Sequence, residues 1–236
     1  MLLLRRLLPV ALGILALLAI ALVLNQVDDL PTAEDSAFIA SYLQSVRIHG
    51  FSRSDDYAGQ LTFIRQVQQA VLDSSPIFVA IPMRHRREPR DVILAGGGVC
   101  HDRSRVIEKI LRYAGFSTRH VFILSVGNRS SLVALLLPGL RSHAVTEVLT
   151  AKGWLVVDSN DPWVAIDERG DPESIYQIER AGIRHQIAWH ETPPNSIYTK
   201  PFVAVRGLYS RHGQFYPPYA PVPNINFREL LANFQG

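Results

Sequence analysis

The residue that draws attention first is Cys100, the one cysteine in 236 residues. A thiol becomes a strong nucleophile when it ionises, and the first turn of a helix favours that, because its unpaired backbone N–H groups and the macrodipole both attract negative charge. Val99 to Ala114 reads as such a helix. Val106, Ile107, Ile110, Leu111 and Ala114 recur on one face, and Gly115 supplies the stop. Cys100 then sits in the first turn. The glycines Gly96, Gly97 and Gly98 before it let the backbone approach a substrate closely, and first-turn amides can donate to a developing oxyanion. Gly98, Val99 and His101 are therefore candidate oxyanion or substrate-binding positions, together with the amide of Cys100 itself. Taken alone, the cysteine reads equally well as a small buried core residue.

A nucleophilic thiol needs a base, and the turn at Ala151-Lys152-Gly153 places one. If Ala151-Lys152 is a two-residue hairpin loop, Thr150 pairs with Gly153, and Val145 lies opposite Asp158 on the same face of a sheet. His143 is then diagonal to Asp158, about 7–8 Å away along the backbone, a distance that an imidazole and a carboxylate can bridge. Val145, Glu147, Leu149, Trp154 and Val156 share that face. A loop of the other parity would put His143 and Asp158 on opposite faces. Asn160 and Asp161 are close enough to serve as the orienting group in place of Asp158.

These residues fall in four blocks, in order: Gly98-Val99-Cys100-His101-Asp102-Arg103, Arg112 to Arg119, Ser142 to Val148, and Gly153 to Asp158. Together they resemble the transglutaminase-like superfamily over residues 57 to 162. The resemblance implies a papain-like α+β fold, with the nucleophile opening a helix packed on an antiparallel sheet. It implies Cys100 as nucleophile, His143 as general base and acid, and Asp158 as the residue that orients His143. Animal transglutaminases bring a tryptophan upstream of the cysteine to the oxyanion. Here Trp154, Trp163 and Trp189 all follow Cys100, which leaves the second oxyanion donor unassigned. The calcium-binding segments of the large animal enzymes have no counterpart, and no cofactor is expected.

The rest of the chain must position these groups. Helices are expected at 32–46, with Thr32 as N-cap, and at 57–72, where Phe63, Ile64, Val67, Ala70 and Val71 form a stripe. Residues 74–90 read as a connecting segment containing a short strand at Ile77 to Ile81. The basic run Arg84-His85-Arg86-Arg87 reads as a solvated loop. Strands are expected at Thr118 to Val126, Leu132 to Leu137, His143 to Thr150 and Trp154 to Val157. Helices followed by strands make the fold class α+β. From Pro193 the chain is rich in proline and aromatics and reads as an irregular tail that wraps the domain.

Leu7 to Leu24 carry no charge, Arg5 and Arg6 precede them, and Asp28 and Asp29 follow. This reads as a transmembrane signal-anchor with the domain outside the cytoplasm, or as a signal peptide cleaved near Ala19-Ile20-Ala21. The expected organisation is an anchor at 1–27, a transglutaminase-like domain at 28–192 and the tail at 193–236. A net charge of +3 is too small to argue for a nucleic-acid partner, and none is expected; the eight histidines lack metal-ligand spacing. The implied activity is attack on a peptide or protein amide through a thioester, with water as the favoured acceptor because nothing marks a site that selects an amine. The alternative is an idle transglutaminase-like module that binds a partner in a cell-envelope or polysaccharide-assembly complex.

Overall fold

The computed structural model describes residues 2–24, 26–48, 56–78, 81–82, 85, 87–130, 133–134, 137, 140–182, 187–210 and 224–234. Helix α1 spans Leu2–Leu24, α2 Ala33–Ser45, α3 Tyr57–Ser74, α4 Pro89–Ala95 and α5 Cys100–Tyr113. Strands β1 (Thr118–Ser125), β2 (Ser142–Thr150) and β3 (Gly153–Val157) follow, then α6 (Ile175–Gly182), a 3-10 turn (Ser196–Thr199) and β4 (Phe202–Arg206). The chain closes with β5 (Leu208–Ser210), β6 (Asn224–Ile225) and α7 (Phe227–Ala232). The fold is α+β around an antiparallel sheet ordered β3-β2-β1-β4, with β5 and β6 as a separate pair.

Local chemistry explains the helix starts. Thr32 Oγ1 accepts from the Asp35 amide at 3.1 Å while Asp35 Oδ2 accepts from the Thr32 amide at 2.9 Å, a reciprocal capping box. Asp56 caps α3 through the Gly59 amide at 2.8 Å. Phe63, Ile64, Val67 and Val71 of α3 pack against Val106, Ile107, Ile110 and Leu111 of α5 and against Val148, Leu155 and Val157 of the sheet. The opposite sheet face, with Val121, Ile123, Val145 and Val156, is covered by Trp163, Ile175, Ile178 and Tyr198. The β2–β3 register pairs Thr150 with Gly153 and Thr146 with Val157, the register expected of a two-residue turn.

Several segments differ from expectation. Val133 and Ala134 are helical, with the Ala134 amide donating to Ser130 O and the Leu137 amide to Val133 O, so the strand expected at Leu132 to Leu137 is not formed there. Leu132, Leu135 and Leu136 lie outside the described residues. Of the strand expected at Ile77 to Ile81, Ile77 forms a bridge with Gly98, and Val79 and Ala80 lie outside the described residues. Helix α4 was hidden by its proline: Pro89 occupies the first helical position, where its missing N–H costs nothing, and Asp91 accepts from the Glu88 amide. The stretch read as an irregular tail supplies β4, which pairs with β1 from Val121↔Arg206 to Ser125↔Phe202. Pro217, Pro218, Pro221 and Pro223 lie outside the described residues.

The basic run is likewise not wholly solvated. Arg87 is buried and bonds Asp102, while His85 is exposed; Arg84 and Arg86 lie outside the described residues. The expected transmembrane anchor is not supported. Among the described residues no helix is long and apolar enough to cross a membrane.

Helix α5 is buried along most of its length, so its charges must be paired. Lys109 Nζ donates to Asp35 Oδ2 at 2.8 Å and to Glu88 Oε2 at 2.6 Å, joining α2 and the start of α4 to α5. Arg105 also pairs with Glu88. Lys109→Ala would strip Asp35 of its buried cation. The expected loss is about 3 kcal/mol of unfolding free energy, read as a lower urea midpoint at unchanged slope.

Candidate functional site

Helix α5 opens at Cys100 with Val99 as N-cap. Its start is braced from below: Asp102 Oδ2 accepts from the Val99 amide at 3.1 Å, and Asp102 Oδ1 takes the Arg87 guanidinium at 2.6 Å. Arg87 also donates to Ile81 O at 3.0 Å. One buried arginine thus ties the segment before α4 to the first turn of α5. The three glycines each have an internal reason. Gly96 is the left-handed cap of α4 at φ +64°, a Cβ at Gly97 would run into the Phe78 ring at 2.3 Å, and one at Gly98 would press on Asp102 Cβ at 3.0 Å.

His143 is the second residue of β2, and Asp158 lies just past β3, where continuing the register sets it against Val145. Both side chains are buried, and His143 Nε2 meets Asp158 Oδ2 at 2.9 Å. That occupies Nε2 and leaves the other ring nitrogen to serve the thiol, with which His143 is hydrogen-bonded. Half-buried Cys100 is also hydrogen-bonded to His101, whose Nε2 lies 3.4 Å from Asp102 Oδ1.

The electrostatics favour charge separation. Burial opposes ionisation of Cys100, but the hydrogen bonds from His101 and His143 outweigh it and bring the thiol down to about 5. Burial likewise opposes protonation of His143, and the charge and hydrogen bond of Asp158 reverse it, lifting the imidazole to about 10. Asp158, despite a burial penalty, is held below the usual carboxylate range by His143, Tyr198 and the Asn160 amide. A thiolate–imidazolium pair is the form such a site holds at neutral pH, and it can attack an electrophilic carbonyl carbon and protonate a leaving group.

Asn160 and Asp161 take a different part from the orienting one considered for them. Their backbone amides donate to Asp158 Oδ1 at 2.5 and 2.9 Å. Of the expected oxyanion positions, the Gly98 amide donates to Pro76 O and the Val99 amide to Asp102. The amide of Cys100 has no acceptor among the described residues.

Three neighbours were not found from sequence. Gln68 of α3 is buried, and its Nε2 faces the carbonyl oxygens of Asp158 at 2.7 Å, Trp163 at 2.8 Å and Asp161 at 3.1 Å. Arg103, one helical turn after Cys100, donates to Asn160 Oδ1. The Tyr198 hydroxyl donates to Asp158 Oδ2 at 2.5 Å. A glutamine on the apolar face of a helix, at i+4 from Ile64, was the available signal for Gln68; Tyr198 gave none.

Fold and site together define an α+β domain with a helix-borne thiol facing a strand-borne histidine and a carboxylate. Compared with known families, residues 54–159 match the transglutaminase-like superfamily. No curated protein matches the chain. The α2 helix, α6, Tyr198 and β4 all lie outside the matched stretch.

Gln68→Leu removes the donor shared by three carbonyls of the loop that carries Asp158. It is expected to lower stability by about 1–3 kcal/mol in chemical denaturation, whereas the exposed neighbour change Gln69→Leu should stay within about 0.5 kcal/mol.

Proposed function

We propose that this protein is a cysteine enzyme that attacks an amide carbonyl and forms a thioester on Cys100, with water as the usual acceptor. The observation that carries the reading is the thiol at the first position of α5 together with a buried histidine whose Nε2 meets a buried aspartate at 2.9 Å, an arrangement whose electrostatics favour the thiolate and the imidazolium. In the first half-reaction the Cys100 sulfur attacks the carbonyl carbon, and the Cys100 amide is the available donor for the oxyanion. The C–N bond breaks, the His143 imidazolium gives its proton to the departing amine, and the thioester remains. In the second, neutral His143 takes a proton from water as its oxygen attacks. The C–S bond then breaks, releasing a carboxylic acid and restoring the thiolate and imidazolium. A peptide or a protein side-chain amide is the substrate class.

The domain is proposed to work outside the cytoplasm, on the charge pattern around the apolar run Leu7 to Leu24. Protease accessibility of the domain in intact cells supports that placement, and protection that ends only on lysis contradicts it.

Activity requires thiolate and imidazolium together. Below about 5 the sulfur takes up a proton, and above about 10 His143 loses one. A bell-shaped kcat/KM profile with limbs near those values is therefore expected on a peptide amide substrate, with an acyl adduct on Cys100 visible by mass spectrometry and absent in Cys100→Ser. A folded chain that never acylates across a peptide amide library would instead mark an idle binding module.

A further inference from the structure

We propose that Tyr198 is a positioning residue of this site that, by sharing Asp158 Oδ2 with His143, governs how tightly the carboxylate holds the histidine's proton. The inference rests on the acyl-transfer reading above. An ionised carboxylate offers about four lone-pair directions. At Asp158 all are used: Oδ1 by the amides of Asn160 and Asp161, Oδ2 by His143 Nε2 at 2.9 Å and Tyr198 Oη at 2.5 Å. Two donors on one oxygen compete for its charge. The phenol takes density that would otherwise stabilise the imidazolium, which keeps His143 a better acid toward a leaving amine.

Tyr198 is placed to do this steadily. Its ring is fully buried, 4.9 Å from Trp163 by centroids and edge-on to the His143 ring at 6.1 Å. Its 3-10 turn is capped by Asn195, whose Oδ1 accepts from the Ile197 amide at 3.0 Å. Arg141, two residues before His143, donates to that same Oδ1 at 3.0 Å and to Ser196 Oγ at 2.8 Å. The turn that carries the phenol is thus fastened to the segment leading into the histidine's strand. Burial and the adjacent carboxylate keep the phenol protonated, hence always a donor. The other charged or titratable groups facing this pair are Cys100, His101 and Arg103 from α5 and Asp161 from the loop after β3.

The test is the titration of His143, followed by NMR of histidine-labelled full-length protein in a Cys100→Ser background, where the thiolate no longer adds to the imidazole's proton affinity. Adding Tyr198→Phe should move the His143 midpoint up by about half a unit or more. Replacing Tyr198 by 3-fluorotyrosine, which keeps ring and hydroxyl but donates more strongly, should move it down. In the active protein, Tyr198→Phe should cut kcat by about tenfold with KM unchanged. An unmoved midpoint, or a downward shift with phenylalanine, overturns the role of Tyr198. The fluorotyrosine protein decides the matter if the phenylalanine variant does not fold. The titration needs no turnover, so a chain that transfers no acyl group would sink the functional reading while leaving this result standing on its own.

Discussion

A carboxylate buried in a protein interior carries a desolvation cost of several kcal/mol unless opposite charge and hydrogen bonds meet it, and Asp158 is fully buried. Much of the surrounding architecture answers that one constraint. The imidazole of His143 and the phenol of Tyr198 converge on one oxygen, and two backbone amides of the following turn on the other. Gln68 binds the carbonyl oxygens of the same turn from the α3 side, and Arg103 reaches Asn160 from the helix that Cys100 opens. Without the charge of Asp158, the proton on His143 would lose the carboxylate that holds it, and the thiolate of Cys100 would lose a neighbouring cation.

The same economy governs α5. A helix buried along most of its length would ordinarily be apolar throughout, yet this one carries Asp102, Arg103, Arg105, Glu108 and Lys109. Each meets a partner on a different element. Asp102 meets Arg87, Lys109 meets Asp35 and Glu88, and Glu108 accepts from the Tyr209 hydroxyl at 2.8 Å. These pairs are costly to break singly and directional, so they suit a helix whose first residue must be held at a set distance from a strand.

What the sequence discloses about the site follows from periodicity. The α5 stripe ends cleanly at Gly115 and puts Cys100 at the helix start, and the short turn after Thr150 sets a parity that leaves His143 and Asp158 on one face. Contacts without a local pattern are not visible in that way. Tyr198 is separated from Asp158 by forty positions, and Gln68 by ninety. Proline misled in both directions: Pro89 starts a helix where it suggested a loop, and the aromatic, proline-rich segment contributes the edge strand β4 where it suggested irregular chain. The apolar run Leu132 to Leu137 reads as a strand, yet Val133 is its one β-branched residue among leucines and an alanine, which are good helix formers, and the described backbone at Val133 and Ala134 turns helically.

The central claim is that Cys100 is ionised at neutral pH because His101 and protonated His143 both stabilise the thiolate. It is tested most directly by the pH dependence of iodoacetamide labelling of Cys100, compared with the His143→Ala protein. The account predicts a wild-type midpoint near 5, and in the variant, which keeps the His101 hydrogen bond, a displacement upward toward the ~8.5 of a free thiol. Folded proteins that label with the same midpoint, both near that of a free thiol, would contradict it.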